Sequence, residues 1–321
     1  MFVTHAWKTL RRRGVLGINA RNADMVLAHN PRRLYPLVDD KLTTKRLLLD
    51  AGIRAPALIG TIATEHDIAN LADTVNGHDG FVIKPAQGAG GDGVLVVQDR
   101  FEGRYRTTSG RLLSDDDVGF HLSGILSGIY SLGGHHDQAL IEYRVQPDPV
   151  FSAISFEGVP DLRIIIYRGY PVMAMLRLPS RQSQGKANLH QGAIGVGVDM
   201  AEGITVGGTW HNMRIFRHPD TANPVAGVQI PRWGEFLYLA TRCYELTGLG
   251  YLGVDLVLDR QQGPMVLELN ARPGLSIQIA NNDGLTTRCA RVDAHISQRA
   301  GEAPRQRIAF AREALCNPVT E

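Results

Sequence analysis

The sequence predicts an α+β fold, and three observations support this class. The 321 residues are about twice the length of a typical single domain, which indicates two lobes or two closely associated domains. Helical and strand patterns are mixed along the first half, without the regular strand–helix alternation of a parallel sheet. From residue 139 onward strands dominate, with one clear helix predicted over residues 233–247.

Composition excludes several classes of protein. The chain has 34 Lys and Arg against 32 Asp and Glu, a formal net charge of +2, which is too balanced for a general polyanion binder, so no nucleic-acid partner is predicted. Three cysteines without CxxC spacing indicate neither a disulfide framework nor a zinc site, and they fit a reducing cytoplasm. The apolar runs are far shorter than the roughly 20 residues that span a bilayer, so no membrane span is predicted. The N-terminal arginines follow the apolar part of their segment, which is not the order of a signal peptide.

The elements follow in chain order. A short N-terminal region is predicted over residues 1–36, with a basic amphipathic helix over 2–13 that packs on the body or contacts an anionic surface. A first lobe is predicted over residues 37–138. Its elements are a helix over 39–49 that ends at Gly52, a strand over 57–62, a helix over 65–76 and a strand over 81–84.

The polar stretch over residues 103–138 is rich in Gly and Ser, and it includes Asp115–Asp117 and His135–His136. These side chains are donors that a metal ion could use, but a solvated loop is the favoured interpretation. A second lobe is predicted over residues 139–300, and a C-terminal helix over 301–321. The strands predicted in the second lobe cover residues 139–145, 161–167, 171–178, 253–258 and 265–270.

Two apolar strands joined by the four-residue loop Arg260–Gly263 predict a β-hairpin. We expect Asp259 to pair with Pro264 across this loop. In the same register Asp255 lies directly opposite Glu268, inside otherwise apolar strands. Opposed like charges cost stability unless protons or a cation neutralise them.

The hairpin therefore predicts a metal site. Asn270 shares the face of Glu268, because strand side chains alternate, so two carboxylates and one amide oxygen converge. Magnesium or manganese prefers oxygen ligands and takes its remaining positions from water and substrate phosphates. A solvent-facing hairpin with incidental acids is the alternative, but the neighbouring same-face positions are mostly small or apolar. The predicted metal ligands are Asp255, Glu268 and Asn270.

Residues 81–97 predict a strand, a glycine-rich loop and a second strand. The loop is neither a Walker A loop nor a dinucleotide fingerprint, because no helix opens after it. Positions without side chains let backbone N–H groups approach phosphate oxygens, while Lys84 supplies positive charge from the preceding strand. A mobile surface turn is the alternative. The glycines of the loop are Gly88, Gly90, Gly91 and Gly93.

Two further segments complete a candidate nucleotide site. Lys41, on the first predicted helix, would by itself be interpreted as a solvated surface lysine. The strand over residues 139–145 carries one acid and one base among mostly apolar residues. In a nucleotide site its main chain would offer donor and acceptor groups to the adenine edge, with Glu142 or Asp148 near the sugar.

The order of these features resembles the ATP-grasp superfamily. The run Gly253-Val254-Asp255 and the later run from Leu267 to Leu275 look like the ending of its carboxylate–amine ligases. Asp161-Leu162-Arg163 and the run from Lys186 to Gly192 resemble the RimK-type ligases, especially the alpha-L-glutamate ligase-like proteins. The resemblance extends from about Gly17 to Gly284. The residues that carry the order are Lys41, Lys84, the glycines of the loop, Glu142, Asp255, Glu268 and Asn270.

The resemblance implies an ATP-grasp fold of two α+β lobes with ATP between them, after a truncated N-terminal region in place of the whole domain that RimK-type ligases have there. It implies that Lys41 and Lys84 contact the nucleotide phosphates and that residues 88–93 close over them. The implied cofactors are ATP and Mg²⁺, with two magnesium ions, or manganese in their place, on the metal ligands named above. The residues implied to hold the adenine run from Glu142 to Val145 and include Tyr143.

The predicted activity is ADP-forming ligation, in which a carboxylate takes the γ-phosphate of ATP and an amine then displaces phosphate to form an amide or peptide bond. The substrates are small-molecule or peptide acids and amines, and the family name suggests glutamate or another amino acid. An ATP-binding regulatory protein without catalysis and a phosphotransferase without ligation are the alternatives. The identity of the substrates and the number of subunits, a homo-oligomer included, stay open.

Candidates for catalysis lie in four segments of the chain. Arg163, Arg177 and Lys186 would hold the substrate carboxylate or the tetrahedral species, each with a salt bridge as its alternative role. Lys186 stands where RimK-type ligases usually carry an arginine. Arg272 and Asn188 are candidates for stabilising the oxyanion of the second step.

The remaining candidate is His190, which follows Asn188 by two residues. It would act as a general base, or it would only form a hydrogen bond in the core. The core interpretation is favoured.

Overall fold

The computed structural model describes residues 8–88, 90–131, 133–299 and 301–316. The chain forms two compact units, and each contains one antiparallel sheet with helices, which confirms the α+β class. The small unit comprises residues 39–49 and 55–145. The large unit comprises the residues up to 38, residues 50–54 and the residues from 146 onward.

The elements are numbered in chain order. The strands are β1 Leu58–Ile62, β2 Phe81–Pro85, β3 Leu95–Phe101, β4 Arg104–Thr107, β5 Leu112–Leu113, β6 Ala139–Tyr143, β7 Asp161–Tyr167, β8 Tyr170–Leu178, β9 Ile194–Val198, β10 Thr205–Trp210, β11 Met213–Ile215, β12 Tyr251–Asp259 and β13 Gly263–Asn270. The α-helices are α1 Ile18–Ala20, α2 Pro36–Asp39, α3 Lys41–Asp50, α4 Glu65–Ala69, α5 Leu71–Thr74, α6 Asp115–Leu126, α7 Trp233–Thr247, α8 Ser276–Asn281, α9 Leu285–Gln298 and α10 Pro304–Ala314. A π-helix covers Arg21–Leu27, and short 3-10 helices cover Arg32–Leu34, Pro149–Ile154 and Leu189–Gln191.

The small unit is built on a six-stranded sheet with the order β1-β6-β2-β3-β4-β5. Side chains alternate between the two faces of a strand, and Phe81 and Ile83 of β2 face a hydrophobic core that they share with residues of α6. The opposite face carries Leu140 of β6, which packs with Leu42 of α3. The sheet therefore separates the hydrophobic core from the face on which the predicted phosphate-binding lysines lie.

The prediction of a solvated loop over residues 103–138 is wrong, because this segment contains β4, β5 and α6. The Ser114 hydroxyl accepts a hydrogen bond from the Asp117 N–H at 3.1 Å, and the Asp117 carboxylate accepts one from the Ser114 N–H at 2.9 Å. This reciprocal capping box starts α6. The three consecutive acids thus occupy the first helical turn, where they interact favourably with the helix dipole.

The boundary after the first lobe lies later than the predicted residue 138. Strand β6 is hydrogen-bonded to β1 on one edge and to β2 on the other, so it is an inner strand of the small unit. A strand paired on both edges cannot belong to another unit, and the small unit therefore extends to Val145.

The large unit is built on a seven-stranded sheet with the order β11-β10-β9-β8-β7-β12-β13, in which the predicted hairpin forms one edge. Met175 of β8 shares a buried hydrophobic core with Ile277 of α8 and Leu285 of α9. Helix α8 lies close to β9, where Gly195 and Gly197 present no side chains. The two glycines thus allow a helix to approach the sheet more closely than larger residues would permit.

Replacing Gly197 by alanine is expected to lower the free energy of unfolding by about 1 to 3 kcal/mol, because overpacking forces the backbone or neighbouring side chains to move. A Cβ at this position would lie 2.6 Å from the Ala280 carbonyl oxygen and 2.9 Å from the Asn281 Cα. Urea denaturation measures the change. The matched control is Gly234→Ala in α7, where a Cβ would meet no described atom within 4 Å and alanine favours the helix by up to about 1 kcal/mol. Equal stability of the Gly197→Ala variant and the wild type would contradict this packing argument.

The structure describes part of each chain end. Residues 8–12 are helical, as predicted, whereas residues 2–7 of the expected basic helix lie outside the described residues. The expected C-terminal helix is α10, and residues 317–321 lie outside the described residues. None of the helices formed by the described residues combines the length and the apolar character that crossing a membrane requires.

Candidate active site

The β12–β13 hairpin places Asp255 directly opposite Glu268, as predicted. The register near the loop differs from the prediction, because Asp259 pairs with Gly263 and not with Pro264. A β-bulge next to Asp255 then shifts the pairing by one residue. The shorter loop and the bulge compensate, so the two carboxylate positions still face each other.

Two arginines hold the Asp255 carboxylate, whose side chain is only 6% exposed. Arg163 of β7 donates to its Oδ1 from Nε at 2.7 Å and to its Oδ2 from Nη2 at 2.6 Å. Arg177 of β8 donates to the same Oδ2 at 2.7 Å and also binds Asp161. The sheet register produces this network, because Asp255 pairs with Arg163 and Asp161 pairs with Arg177 on neighbouring strands.

The network fixes different protonation behaviour for its two acids. Burial raises the pKa of Asp255, but the Arg163 and Arg177 charges outweigh burial and hold the pKa at about 2. Burial raises the pKa of Asp161 to about 6, with Arg177 opposing the shift and the Asp255 charge adding to it. Asp255 is therefore ionised at neutral pH, and Asp161 is the acid of the pair that takes up a proton first.

The side-chain oxygens of Glu268 and Asn270 form fewer hydrogen bonds and ion pairs with described residues than those of Asp255. Glu268 is half-buried, and no ion pair or hydrogen bond joins its carboxylate to any other described residue. Asn270 pairs with Gly253, which puts it on the face of Glu268, and its Oδ1 accepts a hydrogen bond from the Arg272 N–H at 3.1 Å. Two carboxylates and an amide oxygen on one face are the donor types that Mg²⁺ prefers.

These oxygens fit a magnesium site, with one condition on Asp255. Each Asp255 oxygen already accepts from a guanidinium, and a divalent cation beside guanidinium groups is repelled, so at least one arginine must move for Asp255 to bind the ion directly. Across the described ranges, no group of three or more His, Cys, Asp or Glu side chains could hold a metal ion. A metal ion at the hairpin would therefore use the Asn270 amide oxygen as its third side-chain ligand.

The predicted lysines lie in the small unit, and each is bound to an oxygen acceptor. Lys41, the first residue of α3, donates from Nζ to the Gly88 carbonyl oxygen in the glycine loop. Lys84 forms an ion pair with Glu142. Glu142 binds a second cation, Lys45, at 2.8 Å. Sequence reasoning missed Lys45, although its position one helical turn after Lys41 was an available signal.

The glycine loop has the backbone conformation that its composition suggested. Gly90, Gly91 and Gly93 have φ angles of +68°, +82° and +72°, a region in which residues with a Cβ are strained. The loop contacts both α6 and the segment after it. The ring nitrogen of His121 in α6 lies 3.0 Å from the Gly93 carbonyl oxygen, and Gly88 pairs with Ser131 beyond the helix. Ala89 lies outside the described residues.

In the predicted adenine-binding segment, most main-chain groups already form hydrogen bonds within or next to the sheet. The Glu142 side chain is directed toward the lysines, and its main chain pairs with both β1 and β2. The Tyr143 N–H donates to the Ala57 carbonyl oxygen at 2.8 Å. Val145 follows the end of β6 and is not part of the strand pairing. The prediction of main-chain contacts to the adenine therefore stays open for the segment just beyond the strand.

The remaining predicted residues lie in loops of the large unit, except His190, which lies in the 3-10 helix Leu189–Gln191. Asp148 caps the 3-10 helix after it, accepting from the Val150 N–H at 2.9 Å. Lys186 and His190 are exposed, so the interpretation of His190 as a core histidine is wrong. Asn188 Oδ1 accepts from the His190 N–H at 3.0 Å.

Arg272 is also exposed, and its guanidinium lies over the Tyr35 ring at 5.2 Å from the centroid. The structure brings Arg163 and Arg177 to Asp255, whereas the other predicted catalytic side chains lie outside that hydrogen-bonded network.

Comparison with known proteins gives one family match. The model of the family described as sugar-transfer associated ATP-grasp matches residues 20–294. A protein of Maridesulfovibrio salexigens described as a probable alpha-L-glutamate ligase is 24% identical over 236 residues, which are 74% of this chain and 56% of that protein. The chain therefore spans little more than half the length of this curated relative.

Several solved structures of ATP-grasp enzymes match this chain at low similarity. The ATP-grasp ligase PsnB with a minimal precursor matches with a TM-score of 0.44 at 16% identity, over 84% of this chain and 64% of that chain. D-cycloserine synthetase DcsG matches with a TM-score of 0.45 at 12% identity, over 84% and 72% of the two chains. D-alanine–D-alanine ligase from Bacillus anthracis, complexed with ATP, matches with a TM-score of 0.43 at 14% identity, over 86% and 66%. Identities this low give no information about a shared substrate.

Proposed function

This chain belongs to the sugar-transfer associated ATP-grasp family, whose model covers most of its length, and on this premise we propose that it is an ATP-dependent ligase. The reaction joins a carboxylate to an amine and releases ADP and phosphate. The observation that carries the proposal is the pairing of Asp255 with Glu268, with Asn270 on the same face. Phosphoryl transfer requires mainly positioning and charge neutralisation, and this face supplies ligands for the neutralising ion.

The first step is phosphoryl transfer to the acid substrate. A carboxylate oxygen bonds to the γ-phosphorus of ATP, the bond from that phosphorus to the bridging oxygen breaks, and ADP leaves with the electron pair. Lys41 and Lys84 hold phosphate oxygens in place of the carbonyl and carboxylate oxygens that they bind here. Mg²⁺, when bound, supplies charge neutralisation at the phosphates. Asp255, Glu268 and Asn270 are the residues that would hold one or two such ions.

The second step forms the amide bond. The amine nitrogen attacks the acyl carbon, phosphate leaves from the tetrahedral species, and the nitrogen loses a proton. Arg163 and Arg177 are positioned beside Asp255 to stabilise the carboxylate or the oxyanion, since positive groups aimed at developing negative charge lower such barriers. Lys186 is proposed to bind the substrate carboxylate, and Asn188 and Arg272 are proposed to stabilise the oxyanion. His190 is proposed to accept the proton from the amine.

The experiment incubates the purified chain with ATP, Mg²⁺ and a panel of acids and amines that includes glutamate and short peptides. We expect phosphate release only when both an acid and an amine are present. Mass spectrometry should detect a product whose mass equals the sum of the two substrates minus one water. Glutamate has first place in the panel because the curated relative is named for it.

Two outcomes would contradict ligation. A product that carries a phosphoryl group without any amine present would indicate phosphotransfer. ATP that binds but is never consumed, across the whole panel, would indicate a regulatory binding protein.

A further inference from the structure

The small unit contains a buried cluster of three charged side chains, Lys45, Glu142 and Lys84. Glu142 binds Lys45 at 2.8 Å through one carboxylate oxygen and Lys84 through the other. The side chains of Glu142 and Lys45 are each 4% exposed, whereas that of Lys84 is 21% exposed. Lys45 also donates to the Pro56 carbonyl oxygen at 2.7 Å. Lys45 and Glu142 are therefore fixed in the interior, and Lys84 is the member that solvent and ligands reach.

The cluster has a net charge of +1, because two ammonium groups share one carboxylate. Burial lowers the pKa of Lys45, and the charge of Glu142 opposes that shift. Burial raises the pKa of Glu142, but the charges of Lys84 and Lys45 outweigh burial and hold that pKa below its ordinary value. The carboxylate is thus ionised at neutral pH. Without Lys45, the pair of Lys84 with Glu142 would be neutral, and departure of Lys84 would leave a buried carboxylate without a cation, which is strongly unfavourable.

We propose that Lys45 is a positioning residue that keeps Glu142 neutralised and thereby allows the Lys84 ammonium to leave this carboxylate for a nucleotide phosphate. The inference rests on the proposed function, in which Lys84 binds phosphate. Lys84 must exchange one anionic partner for another, and the exchange costs least when the first partner retains a second cation. The same arrangement leaves a net positive charge beside the incoming phosphates.

The test measures the affinity of ATP in the presence of Mg²⁺, without acid or amine, by isothermal titration calorimetry. Lys45→Met is expected to weaken ATP binding by about 10- to 100-fold, which corresponds to the loss of one charge-assisted interaction. Adding Glu142→Gln to Lys45→Met removes the carboxylate that retains Lys84 and keeps the main chain of β6. The double variant is therefore expected to recover most of the lost affinity.

The matched control is Lys8→Met, which removes the same charge from an exposed residue of the large unit and should bind ATP like the wild type. Equal affinities of Lys45→Met and the wild type would overturn the proposal. A double variant that binds no more tightly than Lys45→Met would also overturn it, since a purely structural role for Lys45 predicts that result.

Two further measurements separate the remaining cases. If Lys45→Met does not fold by circular dichroism, the variant Lys45→Gln decides, because it removes the charge and keeps a side-chain donor for the Pro56 carbonyl oxygen. It should bind ATP about 10- to 100-fold more weakly than the wild type, and wild-type affinity would refute the proposal. If the wild type itself does not bind ATP, the proposed function fails together with this inference, whereas wild-type binding with an unaffected Lys45→Met refutes the inference alone.

Discussion

Glu268→Gln is expected to lower ATP-dependent phosphate release by about 100-fold or more, the usual cost of removing one well-placed electrostatic group from an active site. Glu268 is the hairpin acid with no cationic partner among the described residues, so its charge is the one available to a magnesium ion. Glutamine keeps the shape of the side chain and removes that charge. The measurement is the rate of phosphate release as a function of the Mg²⁺ concentration. We expect the variant to need a higher Mg²⁺ concentration than the wild type to reach half of its maximal rate.

The fold should tolerate this change. Glu268 faces the Asp255 carboxylate across the hairpin, and loss of one of two opposed like charges relieves repulsion, so the urea midpoint of Glu268→Gln should not fall. Glu202→Gln is the matched control, because Glu202 is 67% exposed and its nearest cationic partner, Arg312, is 4.0 Å away. A wild-type rate for Glu268→Gln at low Mg²⁺ would remove the hairpin from the catalytic site.

Lys84→Met is the second change with a large expected effect, and it should also reduce phosphate release by about 100-fold or more. Lys84 is the accessible member of the buried cluster, and methionine retains most of its apolar length without the ammonium group. Single-turnover measurements with saturating ATP show whether the loss persists after binding is complete. We expect that it does, because the charge on the transferred phosphoryl group is spread over oxygens that need stabilisation during the reaction.

Loss of folding would not explain this result. In Lys84→Met the Glu142 carboxylate retains its 2.8 Å pair with Lys45, so no buried charge is left without a partner, and circular dichroism should be unchanged. Lys8→Met again controls for the loss of one positive charge. Phosphate release by Lys84→Met at the wild-type rate would show that this lysine does not contact the reacting phosphates.

The hairpin shows which features of a structure a local sequence pattern can predict. Alternation of side chains along a strand is a property of the strand itself, so the facing of Asp255 and Glu268 could be predicted from spacing. The loop length and the bulge could not be predicted, because both depend on how the two strands twist within the sheet. They shifted the pairing in opposite directions, and the facing of the two acids survived.

The segment over residues 103–138 shows a different kind of failure. Its composition favours a solvated loop, but Ser114 and Asp117 form a capping box that starts a helix. The spacing that signals such a cap was present in the sequence. In this segment the local capping signal, and not the polar composition, determines the structure.

By itself, the sequence determined which side chains share a face of the hairpin, which loop lacks side chains near a lysine, and that the chain is α+β. Only the tertiary structure decided which charges neutralise one another. Arg163 reaches Asp255 from 92 residues away along the chain, and Lys45 reaches Glu142 from another element of the small unit. Such pairings depend on the order of strands and on helix packing, which the whole chain sets by burying its apolar surface, and no local pattern contains that information.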